Sequence, residues 1–355
     1  HAFSESDIGG WLLGFFGLIV VVTVGLIGWR GDRLRAPGSM DSPISREGSF
    51  LANNVLFAAF TFVVLLGTVF PLVVEAVNGE QLSVGVPYFN RMTMPLGMLL
   101  LFLMAIAPVL PWRKASQELL RVRLFWPAVA ATVTVVATVV AGARGLAPVL
   151  AFGLGAFAGG AAIRQVVLAS RRQGWRGVVG RTNGGMIVHL GVVMIAVGLA
   201  ASQSYSSEVE LRMEEGQVAT VDGHTLVFEG LETREDPEKT SISALVRVDG
   251  GKVYRPAINE YVFGGQTIGT PSVSTGLRQD VFLALLDVPE EEGDPVVIRV
   301  VIQPLVTWLW IGGGVMGLGT ALAAFPGKRR RPTQPTSASG TTEPDPEPEM
   351  VGASA

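Results

Sequence analysis

The sequence predicts a polytopic α-helical membrane protein of about seven transmembrane helices, with a small β-rich extracytoplasmic domain inserted before the last helix. Three observations carry that prediction. The chain of 355 residues is 49% hydrophobic and only 16% charged, too apolar and too charge-poor for an ordinary soluble domain. Seven stretches are long enough to cross a bilayer as helices, and Lys and Arg gather in alternate loops between them. One long hydrophilic region, residues 203–304, interrupts the pattern before the last span.

Taken in order, the spans are expected at 9–29, 50–74, 94–110, 124–140, 147–167, 184–202 and 305–325. Loop 30–49 holds Arg30, Arg33, Arg35 and Arg46, and loop 111–123 holds Arg113, Lys114, Arg121 and Arg123. Segment 163–183 holds Arg164, Arg171, Arg172, Arg176 and Arg181, and Lys328 to Arg331 follow the last span. The alternate short loops hold only Arg91 and Arg144. Short cytoplasmic loops carry the basic excess, so residues 1–8 are expected outside and the C-terminus inside. All seven Trp residues (Trp11, Trp29, Trp112, Trp126, Trp175, Trp308 and Trp310) lie at or close to expected span ends, as an interfacial belt requires.

This pattern divides the chain into a membrane domain with six helices (1–202), an extracytoplasmic β-rich domain (203–304), a last helix (305–325) and a disordered cytoplasmic tail (326–355). The 203–304 region carries 18 Asp and Glu against 8 Lys and Arg. Its runs EVELRM (208–213), TLVFE (225–229) and VVIRVVI (296–302) alternate or are β-branched, and Asp249-Gly250-Gly251 is a turn signal, so short strands are expected. The tail is rich in Pro, Ser, Thr and acids and has almost nothing to bury. The chain has no cysteine, which excludes disulfides, thiolate metal sites and covalent haem attachment to the chain itself. Its formal charge of −3 averages over the two sides of a bilayer and says nothing about nucleic acid; the lipid bilayer is the expected partner, and no nucleic acid is expected.

The chemistry rests on three histidines. The run 184–202, GGMIVHLGVVMIAVGLAAS, has His189 as its only ionisable group. An imidazole in a hydrocarbon span is costly without a partner, so a functional reading is the default. The residues alone leave three readings open: haem or metal ligand, proton relay or substrate contact, and hydrogen-bonded packing residue. Glycines around it (Gly184, Gly185, Gly191 and Gly198) would admit a neighbouring helix or a flat macrocycle. No other His lies in an expected span, so a haem at His189 would need its second ligand from a Met or from another segment or chain. His224, in Val221-Asp222-Gly223-His224-Thr225, reads as part of a polar turn between strands. His1 precedes the first span and falls at the outer interface. Arg46, Asn53 and Asn54, at the inner end of the second span, fit either a haem lining or, preferably, a polar helix start.

Several long stretches also carry a family resemblance. They are HAFSESDIGG at the start, and SREGSFLANNVLF, LLGTVFPLVVEA and LSVGVPYFNRMTMPLGMLLLFLMAIAPVLPW between 45 and 112. GGMIVHLGVVMIAVG around His189, SSEVELRMEEGQ and DGHTLVFEG in the hydrophilic region, and VIQPLVTWLWIGGGVMGLGTALA in the last span complete them. In order and spacing the chain resembles, up to about Phe325, the C-terminal half of the CcmF family, integral-membrane subunits of the cytochrome c maturation haem lyase.

The resemblance implies a haem-handling role in the bacterial inner membrane. Members receive haem from a haem chaperone and assist thioether attachment of its vinyl groups to the CxxCH thiols of apocytochrome c, alongside thiol-reducing and other maturation subunits. They also carry a structural haem b in the membrane. By this resemblance His189, in IVHLG, is an axial ligand of haem b, and His1, in HAFSESD, is an axial ligand of the incoming haem at the outer face. Iron would enter only through haem, and no catalytic side chain is implied. The family's tryptophan-rich WWD segment and its two partner histidines have no match here and would lie upstream. The chain is therefore expected to be N-terminally truncated or one half of a split pair, the rest supplying those ligands, and to be inactive alone. The alternatives are a component of a transporter for haem or another small solute, and a non-catalytic scaffold. A transporter expects a polar midplane pathway, and the other spans read as free of buried charge.

Overall fold

A computed structural model describes residues 8–34, 42–79, 82–112, 116–262, 267–288 and 294–325. Seven α-helices among them are long and apolar enough to cross a membrane. They are α1 (Ile8–Leu34), α2 (Arg46–Asn78), α3 (Val86–Ile106), α4 (Gln117–Val140), α5 (Leu146–Gln173), α6 (Arg181–Ser204) and α7 (Thr307–Ala324). Ten strands lie between α6 and α7, so the protein is a multi-pass membrane protein with a β-rich insertion before its last helix.

The helix ends depart from hydropathy in ways local chemistry explains. α3 begins at Val86, ahead of the apolar run, because Pro87 occupies the first turn, where its missing N–H costs nothing. Asn90 and Arg91 are then wound into a helical turn at the end of the span, where polar groups meet headgroups. α2 begins at Arg46 behind Ser45, whose hydroxyl accepts from the Gly48 N–H at 3.0 Å. Arg46 Nη2 donates to the Pro108 carbonyl at 3.1 Å, and its guanidinium lies 5.3 Å from the Trp112 ring centre. Arg123 Nη1 donates to the Val109 carbonyl at 2.8 Å. Two guanidiniums thus satisfy carbonyls left over where α3 ends, which is a structural role for Arg46.

The strands form two antiparallel sheets. One runs β1 (Ser207–Met213), β10 (Val296–Pro304), β9 (Gln279–Asp287), β8 (Ser272–Ser274). The other runs β2 (Val218–Val221), β3 (His224–Asp236), β4 (Lys239–Val248), β6 (Ala257–Tyr261), β7 (Thr267–Thr270), with β5 (Val253–Tyr254) paired to β4. Alternate residues of β10, Val296, Ile298, Val300 and Ile302, point inward and share one core with Leu283 and Leu285 of the neighbouring β9 and with Leu226, Phe228 and Val246 of the other sheet. Asp222-Gly223 and Asp249-Gly250 both have positive φ and make the tight turns that join β2 to β3 and β4 to β5.

The join between helices and sheet positions the site. α6 ends at Ser204 and β1 begins at Ser207, while β10 ends at Pro304 and α7 begins at Thr307. β1 and β10 are antiparallel neighbours with Ser207 opposite Ile302, and α6 and α7 pack antiparallel below them. A helix pair therefore runs directly into a strand pair, with two-residue joints on both legs. The joint is pinned further where the Leu305 N–H bonds the Arg278 carbonyl at 2.9 Å and the Trp308 indole N–H bonds the Leu277 carbonyl at 2.8 Å.

Candidate functional site

α6 carries His189 about 12 Å from its N-terminal end and about 22 Å from the β domain, at 1.5 Å rise per residue. The glycines around it divide into two sets. Gly184, Gly191 and Gly198 recur every seven residues and face α7. A Cβ on Gly184 would lie 2.5 Å from the Ala323 N, and one on Gly198 would lie 3.0 Å from the Leu305 carbonyl oxygen. A Cβ on Gly191 would lie 2.5 Å from the Gly312 carbonyl oxygen. Gly312 and Gly319 of α7 answer with equally close approaches, their Cβ positions 2.8 Å from the Gly191 oxygen and 2.7 Å from the Val188 N. The two backbones touch, and the seven-residue period keeps that seam aligned.

Gly185 belongs to the other set. It lies four residues before His189, on the same face, and a Cβ there would meet no atom within 4 Å. Side chains on a helix lean toward its N-terminus, so His189 leans over Gly185. The face is half-buried at both residues. Val193, one turn on, packs against Gly159 of α5, where a Cβ would lie 3.6 Å from the Val193 Cγ1. His189 thus stands at the rim of the α5–α6 contact, turned away from α7, with free space beside it. A flat macrocycle could be held there by the one imidazole, with Gly185 leaving room where another residue would place a side chain. No other described span contains a His, so a second histidine ligand is not among the described residues.

The remaining sequence-derived site residues fall as follows. His1 lies outside the described residues. His224 opens β3, its Nδ1 2.6 Å from Asp249 Oδ2 and its Nε2 against the Gln279 side chain. Asp249 also accepts from the Thr225 N–H at 2.8 Å, and the bond from His224 holds its carboxyl below the usual range. With both ring nitrogens engaged, His224 ties two turns and β9 together, as its place in a polar turn suggests. Among the described residues no cluster of three or more His, Cys, Asp and Glu could hold a metal ion. Among the described residues no charged side chain of a span is buried, but Arg164, inside α5 and nine residues before its end, is half-buried. The expected span 147–167 already contains Arg164, although it also falls among the basic residues of segment 163–183.

No protein-family model matches the chain. Curated relatives do. The chain is 30% identical over 336 residues to the cytochrome c-type biogenesis protein CcmF of Pseudomonas aeruginosa, covering 92% of this chain and 50% of that protein. It is 27% identical to the Escherichia coli protein of the same name, over 94% of this chain and 52% of the relative. A solved structure titled Cytochrome c Heme Lyase CcmF superposes with a TM-score of 0.73 at 28% identity, over 90% of this chain and 51% of that one. The chain belongs to the CcmF family. It corresponds to the C-terminal half of CcmF proteins and spans about half the length of the curated relatives it matches. The CcmF fold is seen here as seven apolar helices with the β-rich insertion.

Proposed function

We propose that this chain is the C-terminal part of a cytochrome c haem lyase subunit in the bacterial inner membrane, with His189 as an axial ligand of a membrane haem b. The observation that carries the reading is that His189 lies one turn after Gly185 in a transmembrane helix, and that a Cβ on Gly185 would meet no atom within 4 Å. Haem, when bound, supplies the iron and the vinyl groups that become thioethers to the CxxCH thiols of apocytochrome c. The protein's part is then to hold and orient. His189 fixes a ring at one depth, the glycine seam with α7 fixes α6, and the β domain fixes both helices by their outer ends.

The other assignments follow the same reading. His1 serves as an axial ligand of incoming haem at the outer face, and an upstream half supplies the matching histidines. α1 fits that arrangement, since Gly9 is its only buried residue and nearly all of its apolar surface is left for lipid or another segment. The basic loops support a cytoplasmic C-terminus and an extracytoplasmic β domain, where a haem chaperone, apocytochrome c and thiol-reducing subunits would meet it.

The test is an optical spectrum of the detergent-purified chain co-expressed with its upstream half, wild type against His189→Ala. A dithionite-reduced b-type spectrum in the wild type that is lost in the variant is expected. A variant that keeps the spectrum unchanged, or a wild type without haem, refutes the ligand assignment.

A further inference from the structure

The face of α5 opposite α6 carries a second unassigned feature. Gly160, Ile163, Arg164, Val167 and Arg171 follow one another at helical spacing and, with Trp126 of α4, line a groove of about 440 Å³. Arg164 is nine residues from Gly155, half a revolution round the helix, so the groove looks away from the His189 contact. Gly160 lets α4 close in beneath it, its Cβ position 3.3 Å from the Pro127 Cα. The outer rim opens to the bilayer: Trp126 is 66% exposed, Ile163 52% and Val167 40%.

The charges in this groove have no counter-ion among the described residues. Neither Arg164 nor Arg171 has an ion-pair or hydrogen-bond partner among the described residues. Arg171 lies two residues from the end of α5, at the headgroup level, but Arg164 lies about 14 Å from that end. Trp126 is nine residues into the antiparallel α4, which puts it at the level of Arg164. Trp126 belongs to the interfacial belt, so Arg164 lies at the headgroup boundary, where an anion is within reach and no carboxylate among the described residues pairs with it. The anion must reach it along an apolar, lipid-facing wall.

We propose that this groove binds an anionic phospholipid, its phosphate drawn between Arg171 and Arg164 and its acyl chain lying on Ile163, Val167 and the Trp126 ring. Basic pockets between transmembrane helices recognise such headgroups by paired charge, and guanidiniums match phosphate oxygens in fork geometry. The carboxylates of a haem share the negative charge, but the groove has no histidine and opens to lipid, which favours the phosphodiester. The assignment is independent of the haem ligation proposed for His189.

Native mass spectrometry of the purified full chain tests it, titrating phosphatidylglycerol or phosphatidylcholine into wild type, Arg164→Gln/Arg171→Gln and Val167→Trp. The wild type should retain phosphatidylglycerol in preference to phosphatidylcholine. The double variant should bind phosphatidylglycerol at least tenfold more weakly, since each charge-assisted hydrogen bond lost corresponds to roughly a tenfold change. Val167→Trp, which keeps both charges and fills the groove, should weaken it as well. Arg171→Gln alone changes an exposed side chain near a helix end, so a loss seen there reports binding even if the double variant folds poorly. Equal retention of both lipids by the wild type, or undiminished phosphatidylglycerol binding in Arg171→Gln and Val167→Trp, overturns the proposal. So does loss of a haem-mass adduct in place of lipid.

Discussion

The same substitution at two glycines of α6 should have opposite effects. In Gly191→Ala the new Cβ would stand 2.5 Å from the Gly312 carbonyl oxygen and from Met316 Cγ, and 2.8 Å from the Met316 N. A carbon normally sits no closer than about 3.3 Å to a carbonyl oxygen, so the overlap approaches about 1 Å. Gly312 O and Met316 N are backbone atoms, so no rotamer change relieves it and α7 has to move. Overpacking of this kind costs about 1–3 kcal/mol. In Gly185→Ala the Cβ meets nothing within 4 Å, and helix propensity alone should stabilise by about 0.5–1 kcal/mol. Because both variants gain the same propensity, the difference between them isolates the packing term, about 1–3 kcal/mol. Reversible unfolding of the purified chain in mixed detergent micelles, followed by far-UV circular dichroism, measures that difference. Equal midpoints for the two variants would refute the seam geometry, and with it the account of what keeps His189 turned away from α7.

Two further outcomes are expected. Ile298→Ala empties a fully buried position of β10 and should destabilise the β domain by about 2–5 kcal/mol, read as a lower thermal midpoint of the β signal with the helical signal little changed. For Asp249, whose folded-state pKa is lowered chiefly by the His224 bond, the contribution is present above the ordinary carboxylate pKa and is lost as pH falls through the lowered value. Acid titration below about pH 4 by near-UV circular dichroism should therefore show a shallower acid limb in Asp249→Asn. The effect should stay under about 1 kcal/mol because the carboxylate is half-exposed, and an unchanged limb would remove Asp249 from the account.

Much of this protein follows from one-dimensional patterns with strong physical causes. A bilayer demands about twenty apolar residues per helix, and the seven spans are written in the chain as such runs. Alternation in 296–302 gave β10, because one face of a sheet is buried and the other is not. His189 stood out because it is the one ionisable group in an apolar run, a contrast that needs no neighbours to be seen.

Other features exist only as distances between segments far apart in sequence. The sequence shows four glycines near His189; only packing decides that Gly184, Gly191 and Gly198 serve α7 while Gly185 stays open beside the imidazole. Arg46 cannot be known as a brace for the end of α3 until Pro108 is brought 3.1 Å from it. That Arg164 and Trp126 line one groove is seen only once α4 is packed against α5. Hydropathy is a property of single residues summed along a window and so survives in the sequence. Close approach and charge pairing depend on which helix faces which, and that is settled by the bundle as a whole.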